Sequence, residues 1–236
     1  MVLALIARAA IVASVLMITY DLQIKTWHSW LTFPFFTIHP RATAFIEIMA
    51  TFNSYMNIPA IDYWRNLCLR EGIARHYDKG DYFFRQGEAA HYIGLVKSGT
   101  LVYSVLGGDG VAHVVGLEYA DEFVADFPFS LSGGKARTSV IAESPCEILC
   151  VPTHILRERM HYEEELKEAV RVTTEAVFGT VYDRMIALYT KTPEERYQDL
   201  ISFDPQLFQH FSLKVIASLL NVTPTYLSRI RKKSID

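Results

Sequence analysis

Cysteine is scarce in this 236-residue chain, with only Cys68, Cys146 and Cys150. Three thiols without C-x-x-C spacing exclude a disulfide framework and a four-cysteine iron–sulfur site, and a reducing, cytoplasmic compartment is expected. Positive charge is also limited: 23 Lys and Arg stand against 26 Asp and Glu, a formal net charge of −3. Any nucleic-acid contact must therefore rest on a local concentration of cations. A long uncharged apolar run is missing. Arg8 interrupts residues 1–20, and the remaining run falls short of the ~20 residues that span a bilayer, so a membrane partner is not expected. Nor does the segment suit a signal peptide, because Arg8 sits inside the apolar run and no small-x-small site precedes Asp21. No Ser/His/Asp, Cys/His or paired-carboxylate arrangement is legible. His76, His91, His113, His154, His161 and His210 lack ligand-like spacing, so neither an enzyme nor a metal site is expected.

What is present is concentrated near the carboxyl end. In residues 211–234, Ser212 is a helix cap, and Leu213, Ile216, Ala217 and Leu220 recur on one helical face. Asn221 follows where the chain must turn, and asparagine tolerates the left-handed backbone a tight turn needs. Thr223 is then an N-cap and Pro224 a first-position proline, so a second helix starts at once and the pair reads as a helix-turn-helix. Leu227 and Ile230 form its inner side. Thr225, Ser228, Arg229 and Lys232 form the outer side, and with Thr223, Tyr226 and Lys233 they are the candidate DNA-contacting residues. A basic helix end of this kind also suits a plain solvated corner.

Earlier in the chain, residues 59–72 predict a short helix with Ile61, Trp64, Leu67 and Cys68 inward and Gly72 as its stop. Short apolar runs then alternate with glycine-bearing turns at 78–81, 86–88, 97–99 and 107–110, the spacing of a small antiparallel barrel or roll. A long helix is expected over 163–190. Leu166, Val170, Thr173, Val177, Thr180 and Arg184 form a seam suited to a parallel partner helix, while Val172, Ala176, Phe178 and Met185 suit packing on the roll. Thr192, Pro193 and Glu195 have the pattern of a capping box and open a further helix.

The wording KGDYFFRQGE, HYIGLVKSGTLVYS and a glycine-rich hairpin, followed by the helix-turn-helix, resembles the Crp/Fnr family of bacterial transcription regulators. The resemblance covers residues 73–233 and implies an α+β fold. It comprises an antiparallel, cyclic-nucleotide-binding-like β-roll at 58–160, a long dimerisation helix at 161–191, and a reduced winged-helix, helix-turn-helix domain at 192–236. Residues 1–57 remain an apolar extension outside it: an over-extended reading frame starting truly at Met49 or Met56, a membrane-associating tail, or a segment packed on the body. The implied partners are double-stranded operator DNA, a second copy of the chain, and RNA polymerase.

In the family's phosphate-binding cassette a glutamate takes the ribose and an arginine the cyclic phosphate. Arg137 and Thr138 match the arginine and its hydroxyl neighbour, whereas the glutamate's place falls on Asp126 and the preceding glycine's on Ala125. The effector is therefore open between a cyclic nucleotide, another small ligand and none. In the recognition helix the family's arginine, glutamate and later arginine map onto Pro224, Thr225 and Arg229, so only the last is kept. Any strands of the winged domain must come from residues 203–211. The expected function is sequence-specific transcription regulation by a homodimer; the alternative is a membrane-tethered nucleotide-sensing module without DNA binding.

Overall fold

Among the described residues, eight strands pair into two four-stranded antiparallel sheets, one ordered β1-β8-β3-β6 and the other β2-β7-β4-β5. The computed structural model describes residues 52–108 and 110–233. The strands are β1 (Ile73–Tyr77), β2 (Tyr82–Phe84), β3 (Tyr92–Ser98), β4 (Leu101–Leu106), β5 (Ala112–Glu118), β6 (Phe123–Val124), β7 (Ser139–Ala142) and β8 (Cys146–Pro152). Between the sheets, Val96, Leu101, Val140, Ile148 and Cys150 are buried, which is the core the short apolar runs predicted. Gly99 shows why one turn needs glycine. Its φ is +86°, and a Cβ there would lie 2.3 Å from the Pro145 carbonyl oxygen.

A 3₁₀ turn (Ser54–Asn57) and α1 (Ala60–Glu71) precede the roll; α2 (Phe129–Ser132) and α3 (Thr153–Arg159) lie within and after it. The inward face of α1 is Ile61, Trp64, Leu67 and Cys68, as its spacing predicts, and Gly72 caps it. Burial pushes the Cys68 thiol up to about 12 and the Cys150 thiol up to about 11, so both stay protonated and unreactive. The expected boundary after residue 57 runs through packed structure. Phe52 meets the Phe203 ring at a centroid distance of 5.4 Å, and Tyr55 is buried in the core. Residues 1–51, and with them most of the expected extension, lie outside the described residues.

The long helix α4 (Glu164–Thr190) begins after Glu163 and reverses one expectation. Leu166, Thr173 and Thr180, from the stripe expected to meet a partner, are buried against the chain's own body. Hydrogen bonding explains this. The Trp64 indole N–H donates to Thr173 Oγ1 (2.8 Å), and the Tyr55 N–H donates to Thr180 Oγ1 (3.1 Å). Two threonines that weaken a coiled-coil seam are thus the anchors of the preceding segment. Phe178 and Met185, expected on the roll, are instead exposed, at 67% and 45%.

Four further helices follow: α5 (Pro193–Phe203), α6 (Leu207–His210), α7 (Leu213–Leu219) and α8 (Pro224–Lys233). The capping box is present, with Thr192 and Glu195 bonding each other's backbone N–H groups. Residues 203–211 are helical at α6 and hold no strand, so among the described residues the helical unit has no wing. Its core is not self-contained. Val102 of β4 and Leu117 of β5 are buried together with Tyr197, Leu200, Ile216, Leu227 and Ile230.

The arrangement depends on an irregularity in β5. Tyr103 pairs with Gly116 but Ser104 pairs with Val114, leaving Val115 as an extra residue. The shift restores alternation. Val114, Leu117 and Tyr119 face the helical unit, while Val115, Gly116 and Glu118 face the other way. Val114 also donates its N–H to Ser218 Oγ of α7 at 2.9 Å.

Candidate functional site

Helices α7 and α8 and the turn between them are built as their local signals predict. Ser212 Oγ accepts the Val215 N–H at 3.3 Å, and Thr223 Oγ1 accepts the Tyr226 N–H at 3.2 Å. Asn221 has φ +54°, the left-handed conformation its place required. Leu227 and Ile230 are buried, while Thr223, Thr225, Tyr226, Ser228, Arg229, Lys232 and Lys233 are all exposed. The outer face is not uniform. Tyr226 donates its hydroxyl to Glu194 (2.8 Å), and Ser228 donates to the Pro224 carbonyl (3.0 Å). Arg231 turns inward, its guanidinium 3.7 Å over the Phe208 ring, and so stands apart from the two lysines beyond it.

A second site lies between the roll, α1 and α4: a cavity of about 210 Å³. Its wall includes Trp64, Tyr103, Phe123 and Phe127, together with the carboxyl-bearing Glu118 and Asp126 and the cationic Arg184. Of the three cassette residues, Asp126 and Thr138 belong to this wall and Arg137 does not. Asp126 accepts the Arg137 N–H (3.0 Å) and the Thr138 hydroxyl (3.4 Å), so the three meet through Arg137's backbone. The Arg137 guanidinium instead lies 4.5 Å over the Phe129 ring, on an exposed side chain. Tyr103 of β4 holds the backbone of Ala125, its hydroxyl donating to the Ala125 carbonyl and accepting the Ala125 N–H, each at 3.0 Å.

Sequence reasoning missed a buried polar cluster beside this cavity. Tyr55 donates to Glu118 (2.8 Å), Asn53 donates to Glu122 (2.7 Å), and Arg184 donates to Asn53 (2.6 Å) and to the Phe52 carbonyl (2.7 Å). The signal was Arg184 itself, a lone cation on an apolar helix stripe, which implies a buried acceptor nearby. Burial, then the neighbouring Glu122 carboxylate, hold the Glu118 carboxyl well above the usual range. A raised carboxyl stabilises the fold fully below its unfolded value, about 4.3, and that contribution is lost as pH rises through the folded value. Relative to wild type, Glu118→Gln should therefore gain stability as pH rises from about 4 to 8. Paired denaturant titrations across that range check this, and a constant difference would contradict it.

Residues 74–162 match the family of cyclic nucleotide-binding domains. FixK2 from Bradyrhizobium japonicum superposes with a TM-score of 0.61 at 19% identity, over 69% of this chain and 83% of that one. A structure from Eubacterium rectale assigned to the Crp/Fnr transcriptional regulators gives 0.60 at 14%, over 75% and 86%. The chain has the Crp/Fnr fold. The c-di-GMP-responsive global regulator CLP of Xanthomonas campestris has it too, with a TM-score of 0.54 at 18% identity over 74% and 89%. No curated protein sequence matches the chain. Against the Crp/Fnr expectation, the departures are local: the turned-out Arg137 and the short, already bonded Asp126. Among the described residues no helix is long and apolar enough to cross a membrane, and no group of His, Cys, Asp and Glu could hold a metal ion.

Proposed function

We propose that this protein is a sequence-specific DNA-binding transcription regulator that works as a homodimer in the cytoplasm, with the roll cavity as its effector site. One observation carries the reading. Helix α8 buries Leu227 and Ile230 and leaves Thr225, Arg229, Lys232 and Lys233 exposed behind a left-handed turn at Asn221, the arrangement a major groove accepts. The dimer is supported by α4, whose outer side exposes Phe178, Val181, Tyr182, Met185, Leu188 and Tyr189 at helical spacing. Phe178 and Tyr182 stack on each other at 5.7 Å, and a two-fold pairing of this stripe would remove it from water.

The test is selection of DNA fragments by the full chain, followed by sequencing, alongside sedimentation at micromolar concentration. Inverted half-sites spaced by roughly 34–36 Å or a multiple are expected, with a dimer as the bound species. Absence of sequence enrichment would remove the regulator reading; a monomer at all concentrations would remove the dimer.

A further inference from the structure

The cavity's chemistry differs from that of a phosphate pocket. Every charged group on its wall already has a partner within the chain. Asp126 is held by Arg137 N–H and Thr138, Glu118 by Tyr55, and Arg184 by Asn53 and the Phe52 carbonyl. An anion entering would meet the Asp126 carboxylate, while Arg184 already donates through a terminal nitrogen to Asn53 and the Phe52 carbonyl and Arg137 faces outward. An organic cation would lose its hydration beside Arg184. What remains for a ligand is mostly aromatic and aliphatic surface, from Trp64, Tyr103, Phe123, Phe127 and Val177.

Size narrows the choice. An apolar cavity of about 150 Å³ accepts benzene, and drug-sized ligands need roughly 300 Å³ or more. At about 210 Å³ the volume suits one ring with a small substituent. One further group bears on that substituent. Arg184 Nε is buried and has no acceptor, so a ligand bearing one hydroxyl or carbonyl oxygen could satisfy it. Entry is available where the wall residues Val115 and Val181 are exposed, between β5 and α4.

We infer that the effector of this cavity is an uncharged, single-ring molecule carrying one hydrogen-bond-accepting oxygen, and not a cyclic nucleotide. The inference rests on the reading of the cavity as the regulator's effector site. Three probes share one ring and differ in charge: benzyl alcohol, benzoate and benzylammonium. Calorimetry on the full chain should show benzyl alcohol binding at least tenfold more tightly than either ion, with no heat from cyclic AMP and no change on Arg137→Ala. Val177→Trp, which fills the cavity from the α4 side, should abolish the benzyl alcohol signal. Should that variant not fold, the indole N–H resonance of Trp64, assigned by its absence in Trp64→Phe, should shift on titration of wild type. Tighter binding of benzoate or cyclic AMP, or no binding of any ring probe, would overturn the ligand class. Binding that persists in Val177→Trp, or leaves the Trp64 resonance unmoved, would overturn the location. DNA retention by the unliganded chain is measured separately, so loss of the ligand class leaves the regulator reading standing and the reverse also holds.

Discussion

Trp64→Ala should lower the stability of the protein by about 3–5 kcal/mol, the largest effect expected of any single truncation here. The indole is buried at 3% exposure and joins α1 to two other elements. It packs edge-on against Phe127 at 6.0 Å and donates its N–H to Thr173 of α4. Removing it enlarges the neighbouring cavity and leaves the Thr173 hydroxyl without its donor. For a chain of this size the loss amounts to a fall of roughly 6–20 °C in the unfolding midpoint. Thr173→Val separates the two contributions, because it removes only the acceptor and should cost about 1–3 kcal/mol. Calorimetric unfolding of both variants decides the matter. Equal losses would mean that the hydrogen bond, and not the ring's volume, ties α1 to α4.

On the DNA side, Arg229→Ala should relax preference at one guanine in each half-site by about 1–3 kcal/mol, or roughly 5- to 150-fold. Arg229 is exposed on the outward face of α8 beside Thr225 and Ser228, where a guanidinium can meet the O6 and N7 of guanine together. Lys233, in the last turn, is expected to meet phosphate. Lys233→Ala should therefore weaken all sequences alike and reduce the salt slope by about one unit per subunit. Titrations against matched and single-base-changed operators at several salt concentrations distinguish the two. An Arg229→Ala protein that keeps its full base preference would sink the assignment of that side chain.

Local signals were the legible ones. Ser212, Asn221, Thr223 and Pro224 act through backbone hydrogen bonds and dihedral angles within a few residues of themselves, and each does in the structure what its type predicts. The same holds for the capping box at Thr192 and for the turn glycines of the roll. Which face of α4 looks inward was not legible. Its stripes are both mixed, and the choice is made by donors far away in sequence, Trp64 and the backbone of Tyr55, that reach two threonine hydroxyls. For the candidate site the same division applies. Asp126 and Thr138 lie on the cavity wall, whereas the direction of the Arg137 side chain depends on Phe129, whose ring it covers. Glu118, Tyr55 and Asn53 come together only through tertiary structure and carry no motif.

The extra residue at Val115 has a consequence for modularity. Because it sets Val114, Leu117 and Tyr119 on one side of β5, the roll supplies part of the hydrophobic interior of the C-terminal helical half. Residues 192–236 excised alone would leave Ile216 and Leu227 without those neighbours, so the two halves are not interchangeable parts joined by a linker. A chimera that moves the helices to another roll would have to carry β5 with them, irregularity included.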